Sequence, residues 1–160
     1  MLSLAEISDR FEIQQLMVDY STAIDRKQFD DLDRVFTADA YIDYRVTGGI
    51  DGRYPEVKAW LKNVLPNFPA YYHMLGNFDV RVDGDTATSR TICFNPMVFN
   101  EEKKQILFVG IWYVDEFVAH ARGMADESAR RGEVLRQAAV APSVTPAELP
   151  GHRGQQPLAQ

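Results

Sequence analysis

MLGNFDVRV (74–82), DGD (83–85) and TATSRTICFNPMVF (86–99) follow one another in the middle of the chain and decide its fold. Apolar and polar side chains alternate through both outer segments, which is the period of a half-buried strand. The segment between them is a sequence that tight hairpin turns prefer. We therefore predict two antiparallel strands, the second bent at Asn95-Pro96, and a third strand over Gln105–Val118 that continues the meander.

Upstream of the meander the apolar spacing becomes helical. Ser3-Leu4-Ala5-Glu6 is a capping-box sequence. The helix behind it is predicted to end near Ile24, with an apolar face of Ile7, Phe11, Leu16, Met17, Tyr20 and Ile24. A short helix over 29–36, a strand over 41–46 and a helix over 54–65 follow. Helices first and then an antiparallel meander predict an α+β fold with the helices packed on one sheet face.

Composition narrows the classes of protein. The 160 residues, 46% of them hydrophobic, fit one domain with a sizeable core. The formal net charge of -6 argues against nucleic acid as a partner, and no stretch resembles a membrane span or a signal peptide. The single cysteine, Cys93, excludes an internal disulfide and disfavours a thiolate metal site. A cytoplasmic location is expected.

His73 is the candidate for proton chemistry, because the other two histidines, His120 and His152, lie in a tail of different composition. An unperturbed imidazole titrates near neutral pH, and a carboxylate partner fixes its tautomer and stabilises the imidazolium. Asp25, at the end of the first helix, is the best candidate for that partner. Tyr20 lies roughly 140° from Asp25 around an ideal helix, so the two are expected to face one pocket only if the helix end unwinds.

Five segments carry a family resemblance: 20–25 (YSTAID), 36–40 (FTADA), 42–45 (IDYR), 71–77 (YYHMLGN) and 108–115 (FVGIWYVD). Over about residues 1–118 the chain resembles the SnoaL-like branch of the nuclear-transport-factor-2-like superfamily. More narrowly, it is similar to the scytalone dehydratase and bile-acid dehydratase relatives. The resemblance implies a cone, in which a curved antiparallel sheet wraps around the long first helix and leaves a deep apolar pocket.

The resemblance also implies residue roles. His73 and Asp25 match the histidine and aspartate that meet in the pocket of dehydrating members, and Tyr20 and Tyr44 match tyrosines that hydrogen-bond the substrate. Four further aromatic residues are expected in the core or the pocket wall: Trp60, Phe94, Phe108 and Trp112. No metal or organic cofactor is expected, and relatives suggest a homo-oligomer, a dimer or a trimer.

The resulting functional hypothesis is a dehydratase-like lyase that removes water from a hydroxylated, carbonyl-bearing polycyclic or aromatic small molecule. His73 would be the base, with Asp25 orienting it and the tyrosines donating hydrogen bonds. Two alternatives remain open at this point. One is an isomerase of the ketosteroid isomerase kind, in which Asp25 moves the proton; the other is a non-catalytic domain for ligand binding or subunit assembly.

Residues 119–160 differ from the rest of the chain, since every aromatic residue lies before Ala119. Family members normally continue the third strand into a Gly-Trp-Arg turn and a final strand. Met124-Ala125 read one base later always contains a tryptophan codon, so a frameshift after about Val118 would account for the missing turn. The alternative is a genuine tail, helical over 126–139 and disordered beyond residue 142.

Overall fold

The computed structural model describes residues 1–100, 102, 105–121 and 130–135. Two α-helices, α1 (Leu4–Asp25) and α2 (Tyr54–Val64), accompany seven strands. The strands are β1 (Tyr41–Asp43), β2 (Asp51–Arg53), β3 (Ala70–Tyr71), β4 (Met74–Asp83), β5 (Thr86–Asn100), β6 (Gln105–Ala121) and β7 (Arg130–Leu135). The predicted α+β class with helices against one curved antiparallel sheet is confirmed. None of the described helices is both long and apolar enough to cross a membrane.

Helix α1 begins as its sequence predicts. Ser3 is the N-cap, and its hydroxyl accepts a hydrogen bond from the Glu6 backbone N–H at 3.1 Å, which satisfies one of the free amides of the first turn. The Glu6 carboxylate pairs with Arg10 at 3.4 Å. One of the two hydrogen bonds of a capping box is thus formed, and the Glu6 side chain forms an ion pair on the helix surface instead of completing the box.

The buried face of α1 differs from the predicted one at its N-terminal end. Phe11 is 67% exposed and Ile7 is also exposed. The face that packs in the core has helical spacing and consists of Ile13, Leu16, Met17, Tyr20, Ala23 and Ile24. Phe11 lies five residues before Leu16, roughly 140° around the helix, so it points away from that face.

The C-terminal end of α1 is fixed by a Schellman motif. The N–H of Gln28 donates to the Ala23 carbonyl at 2.8 Å, and the N–H of Lys27 donates to the Ile24 carbonyl at 2.9 Å. Lys27 has φ 57, in the left-handed region where this motif normally places glycine. Its ammonium donates to the Phe68 carbonyl at 2.9 Å. The helix therefore stays regular through Asp25 and is tied to the segment that leads into β3.

The main sheet is built on β5. One edge of β5 pairs antiparallel with β6, and β7 lies beyond β6. The other edge pairs with β4 up to Phe94 and with β3 from Met97 onward. Register shifts lie between Gly76 and Asp79 in β4 and between Val98 and Asn100 in β5; such bulges bend strands.

The expected bend at Asn95-Pro96 does not interrupt the pairing of β5 with β6, which continues through both residues. What changes at this position is the partner on the other edge. β3 ends at Tyr71 and β4 begins at Met74, so Tyr72 and His73 lie between the two strands, opposite Pro96 and Asn95. The Tyr72 N–H donates to the Pro96 carbonyl at 3.3 Å, so the register of β4 on β5 continues into β3.

Other boundaries also differ from the predictions. The expected strand over 41–46 is only β1, which pairs with β2, and a 3₁₀ turn follows at Arg45–Thr47. The expected short helix over 29–36 is a 3₁₀ helix at Phe29–Arg34, and its predicted apolar residues are buried. Helix α2 begins and ends close to its prediction, with Pro55 in its first turn.

The alternative of a genuine tail predicted a helix over 126–139, and this is wrong for Arg130–Leu135, which form β7. β6 extends to Ala121 rather than ending at Val118, and its free edge pairs with β7 over Glu116–Ala121. Backbone pairing at an open sheet edge outweighs the weak helical preference of this segment. The rest of the expected helix, and the segment beyond residue 142, lie outside the described residues.

Candidate functional site

A cavity of about 230 Å³ lies between the C-terminal half of α1, α2 and the concave face of the sheet. Its walls are mostly apolar and include Ile24, Leu61, Val64, Leu65, Phe68, Met97, Leu107, Val109 and Ile111. The polar or aromatic groups on the wall are Tyr20, Tyr44, Trp60, His73, Asn95 and Tyr113. Apolar walls with a few polar groups are what small-molecule sites have in common.

The loop after β1 closes one side of this cavity. Gly49 lies against the aromatic pair of Tyr44 and Trp60, whose ring centroids are 6.2 Å apart. A Cβ on Gly49 would come within 2.8 Å of Trp60 Cη2 and of Tyr44 Cβ. Glycine is required at this position for the loop to approach the two rings. Tyr44 and Trp60 therefore lie where a pocket role was predicted.

Three predicted pocket residues lie elsewhere. Phe94 and Phe108 stack on each other on the outer face of the sheet, with centroids 5.9 Å apart, and Phe108 is 49% exposed. The Arg90 guanidinium covers the Trp112 ring at 3.6 Å from its centroid. Successive strand residues point to opposite faces, and the inward positions are odd-numbered on both β5 and β6. The pocket-wall prediction is wrong for Phe94, Phe108 and Trp112.

His73 and Asp25 meet at the edge of the cavity. His73 Nδ1 lies 2.6 Å from Asp25 Oδ1, and the His73 backbone N–H donates to Asp25 Oδ2 at 3.0 Å. The His73 side chain is 4% exposed and that of Asp25 is 23% exposed. The Tyr72 N–H points toward β5, where it donates to the Pro96 carbonyl at 3.3 Å. Successive N–H groups of an antiparallel strand point in opposite directions, so the His73 N–H points away from β5 and is available to Asp25.

This arrangement defines the tautomer of the neutral ring. A carboxylate only accepts hydrogen bonds, so Nδ1 carries the proton and donates it to Asp25. Nε2 then has a free lone pair, and the Asn95 side-chain amide donates to it at 3.1 Å. The nitrogen with basic character is thus the one on the side of the cavity wall formed by Asn95.

Tyr20 reaches the same site without any unwinding of the helix. Its ring packs edge-on against the His73 ring, with centroids 6.0 Å apart, and its hydroxyl lies 2.8 Å from that of Tyr44. Asp25 reaches His73 from the helix end and does not line the cavity. Tyr20 and Asp25 point in different directions from a regular helix and still both contact His73, because the imidazole lies between their side chains.

Tyr71 stabilises the C-terminal end of α1 through a hydrogen bond. Its hydroxyl donates to the Ile24 carbonyl at 3.0 Å, one of the carbonyls at the helix end. Burial, with smaller contributions from Asp25 and Tyr20, raises the pKa of Tyr71 to about 12. The phenol therefore stays protonated at neutral pH and continues to donate.

The acidic run Asp30-Asp31-Leu32-Asp33 carries surface ion pairs. Lys58 Nζ lies 2.7 Å from Asp33 and 2.9 Å from Asp30, while Lys62 Nζ lies 2.7 Å from Asp30. These two lysines lower the pKa of Asp30 to about 2. Among the described residues, no group of three or more His, Cys, Asp or Glu side chains is placed to hold a metal ion.

Sequence reasoning missed Asn95 and the apolar wall of β5 and β6. Asn95 was interpreted as part of a bend because proline follows it. Cys93, however, was expected to be buried, and the two-residue period from Cys93 places Asn95 and Met97 on the same inward face. The two-residue period that identifies Asn95 was therefore visible in the sequence, but it was not followed along the strand from Cys93.

Comparison with known proteins identifies the family of the chain. The model of the SnoaL-like domain matches residues 5–124, so the chain belongs to the SnoaL-like family. Uncharacterized protein Rv2910c of Mycobacterium tuberculosis H37Rv is 74% identical over 118 residues, which are 74% of this chain and 80% of that protein.

Solved structures show the same fold. The Kfla4162 protein of Kribbella flavida has a TM-score of 0.65 at 26% identity, covering 82% of this chain and 91% of that one. A hexachlorocyclohexane dehydrochlorinase, LinA-type3 of Novosphingobium barchaimii LL02, has a TM-score of 0.63 at 19% identity, covering 82% and 86%. A nuclear transport factor 2-like superfamily protein of Salmonella enterica has a TM-score of 0.64 at 12% identity, covering 91% and 96%. These structures therefore share the fold of this SnoaL-like chain.

Proposed function

We propose that the protein is a cofactor-independent lyase, which removes water from a hydroxylated, carbonyl-bearing small molecule held in the apolar cavity. The observation that carries this proposal is the His73–Asp25 pair, with Nδ1 and Oδ1 2.6 Å apart. It leaves a neutral imidazole with its basic nitrogen, Nε2, beside a cavity of about 230 Å³. A base fixed by a carboxylate at the wall of an apolar cavity is suited to abstract a proton from carbon.

The proposed reaction balances within the site. Nε2 of His73 takes the proton from the carbon next to the carbonyl, and the electron pair of that C–H bond moves onto the carbonyl oxygen as an enolate. The enolate then re-forms the carbonyl, a carbon–carbon double bond forms, and the bond to the hydroxyl breaks. The leaving hydroxyl takes the proton back from Nε2 and departs as water, so His73 ends neutral.

The neighbouring residues have distinct parts in this scheme. Asp25 keeps Nδ1 protonated and stabilises the imidazolium, as in other His-carboxylate pairs. The hydroxyls of Tyr20 and Tyr44, 2.8 Å apart, share a hydrogen bond, and this pair is the proposed donor to the developing oxyanion. General base catalysis by a positioned side chain contributes roughly 10²–10⁴-fold.

The cavity favours a flat, apolar substrate. Trp60 and Tyr44 offer aromatic surfaces on one side, and Leu107, Val109 and Ile111 line the other. An aromatic or polycyclic skeleton would fill this space while its oxygens face His73 and the tyrosines. The LinA-type3 protein is a dehydrochlorinase; loss of HCl and loss of water are both eliminations, which supports this class of reaction for the fold.

Isomerase chemistry with Asp25 as the base has less support. Both carboxylate oxygens of Asp25 are engaged by His73, one by the backbone N–H and one by Nδ1. Asp25 would have to release the histidine before it could accept a proton from carbon. A non-catalytic domain that binds a ligand or a partner subunit is the third candidate function. The experiment that follows distinguishes it from the two enzymes.

The test is a screen of aromatic and polycyclic β-hydroxy ketones for formation of the conjugated enone, followed by absorbance. The wild-type protein is compared with His73→Ala and Asp25→Asn. Loss of turnover in both variants supports the dehydratase. Loss in Asp25→Asn alone favours the isomerase, and binding of the ketones without turnover in any form favours the binding domain.

We also propose that the protein is a cytoplasmic homo-oligomer, a dimer or a trimer, formed through the outer sheet face. Five large apolar side chains are exposed there: Tyr72, Met74, Phe94, Ile106 and Phe108. Contiguous apolar patches of this kind mark association surfaces. The one cysteine of the sequence, Cys93, is buried, and a chain that can form no internal disulfide suits a reducing compartment. Phe108→Glu should lower the mass in solution, whereas Phe11→Glu on α1 should leave it unchanged; an unchanged mass in both would contradict the interface.

A further inference from the structure

Asn95 is a buried amide whose hydrogen-bonding capacity is only partly used. It is 8% exposed and lies on the cavity wall. Its Nδ2 donates to His73 Nε2 at 3.1 Å, while its Oδ1 has no hydrogen-bond partner within the described part of the chain. Buried polar groups are nearly always paired, so an exception on a cavity wall calls for an explanation.

The orientation of the amide follows from the chemistry of its neighbours. Asp25 keeps the proton on His73 Nδ1, so Nε2 presents a lone pair and only the NH₂ end of Asn95 can face it. In the empty site, that N–H covers the lone pair which the proposed reaction needs. A substrate that is to lose a proton to Nε2 must first draw the amide hydrogen away.

We infer that Asn95 is an oxyanion-binding residue, whose side-chain N–H covers Nε2 in the empty site and moves to the substrate's carbonyl oxygen when a carbonyl compound binds. This inference rests on the proposed function and deepens it. The carbonyl oxygen is attached to the carbon next to the one that loses its proton, so it lies within reach of a donor already 3.1 Å from Nε2. The negative charge of the enolate strengthens the new bond, because charge-assisted hydrogen bonds are stronger than neutral ones.

The inference narrows the substrate class. A carbonyl compound offers the amide an acceptor in exchange for Nε2, and this exchange exposes the base only when such a compound is bound. A halogenated hydrocarbon has no oxygen acceptor, so with it the N–H either stays on Nε2 and blocks the base or is left unpaired at a cost. Asn95 therefore selects carbonyl compounds over halogenated hydrocarbons.

The test uses a matched pair of ligands, 4-nitrophenolate and nitrobenzene, at an alkaline pH at which the phenol is ionised. The two share a ring and a nitro group and differ by the oxyanion. Asn95→Leu removes the donor while keeping the side-chain size. Met97→Leu, at the next inward position of β5 and on the same cavity wall, is the matched control.

We expect Asn95→Leu to weaken 4-nitrophenolate binding by roughly tenfold or more, the usual worth of a hydrogen bond to a charged group. Nitrobenzene binding should change by less than about threefold, within the spread of a packing change. Met97→Leu should alter both affinities to a similar degree. If Asn95→Leu weakens the two ligands equally, or weakens neither, the inference is overturned.

A second measurement needs no variant and so does not depend on how Asn95→Leu folds. In nitrogen NMR of the wild-type protein, 4-nitrophenolate should shift both His73 Nε2 and the Asn95 amide, whereas nitrobenzene should shift neither to the same extent. An unmoved Asn95 amide overturns the inference. Both tests measure binding, so they can support the role of Asn95 even if no hydroxy ketone is dehydrated. Failure of dehydration would contradict the proposed reaction and leave the binding result unaffected.

Discussion

Asp25 holds His73 at two points: one carboxylate oxygen lies 2.6 Å from the ring Nδ1, and the other accepts the backbone N–H at 3.0 Å. The backbone contact sets the position of the residue and the ring contact sets its rotation and tautomer. Both depend on the position of His73 between β3 and β4, where its N–H points away from β5, and on the Schellman motif that ends α1 directly after Asp25. The site is therefore positioned by the edge of the sheet and the end of the helix, which face each other.

Asp25→Asn should remove activity while keeping the fold. The amide can place its oxygen on the backbone N–H, but its NH₂ then faces Nδ1, so Nδ1 becomes the acceptor and Nε2 carries the proton. We expect turnover of a β-hydroxy ketone to fall by roughly 10²–10⁴-fold, with nitrogen NMR showing the exchanged tautomer. Asp19→Asn, at an exposed position of α1 where Asp19 accepts from Gln15, is the control and should retain activity.

The tyrosine pair should show energetic coupling. The hydroxyls of Tyr20 and Tyr44 are buried and 2.8 Å apart, so Tyr20→Phe or Tyr44→Phe deprives the other hydroxyl of this bond. Each single variant should lose about 1–2 kcal/mol of unfolding free energy, and the double variant should lose less than the sum. Urea unfolding of the four proteins measures this, and strict additivity would contradict the coupling.

The N-terminal cap, the helix α2 and the β4–β5 hairpin were predictable because each is specified by residues close together in the chain. The pairing of His73 with Asp25 was predicted on other grounds: the small number of histidines, the position of Asp25 at the helix end, and the family resemblance. A two-residue period, however, shows only that neighbouring strand residues face opposite sides. It does not show which side is covered, and the outer position of Phe94 and Phe108 follows from the tertiary path of β5 and β6.

Lys27 should respond to substitution in an unusual order. Its φ of 57 suits glycine, but its ammonium donates to the Phe68 carbonyl at 2.9 Å and lies 5.5 Å from the centre of the Tyr71 ring. Lys27→Ala keeps the strained backbone and loses both contacts, so it should cost about 1–2 kcal/mol. Lys27→Gly loses the contacts but relieves the strain, and should be about 1 kcal/mol more stable than Lys27→Ala. Equal stability of the two variants in urea unfolding would contradict a strained position.

Alkaline pH should weaken the fold through Tyr71. Its pKa is raised to about 12 in the folded protein, above the usual value of about 10 for an exposed tyrosine. A raised pKa means that its contribution to stability is complete below about pH 10 and is lost as the pH rises through about 12. Unfolding free energy measured against pH should fall over this window.

Tyr71→Phe is the control for this prediction. It should lower the unfolding free energy at neutral pH, because the hydrogen bond to Ile24 is lost, and it should make the fall at alkaline pH less steep. An unchanged slope would assign the fall to other groups, such as Tyr54, whose pKa burial also raises.

The last prediction concerns residues 119–160 and the frameshift hypothesis. The match to Rv2910c, at 74% identity, spans 118 residues and leaves a fifth of that protein unmatched. Two chains so alike over most of a domain are expected to stay alike to its end. A change of reading frame would explain why residues 119–160 differ so much from the rest of the chain. We expect the coding DNA, read one base later from about Val118, to encode a Gly-Trp-Arg turn and a final strand. A protein with that alternative C-terminus should have a higher melting temperature than the present protein. Its final strand would pair with the edge of β6 that β7 pairs with here, and its sequence would have been selected together with that edge. Codons that encode no such turn in the next frame would contradict the hypothesis and leave the tail as a genuine feature of this protein.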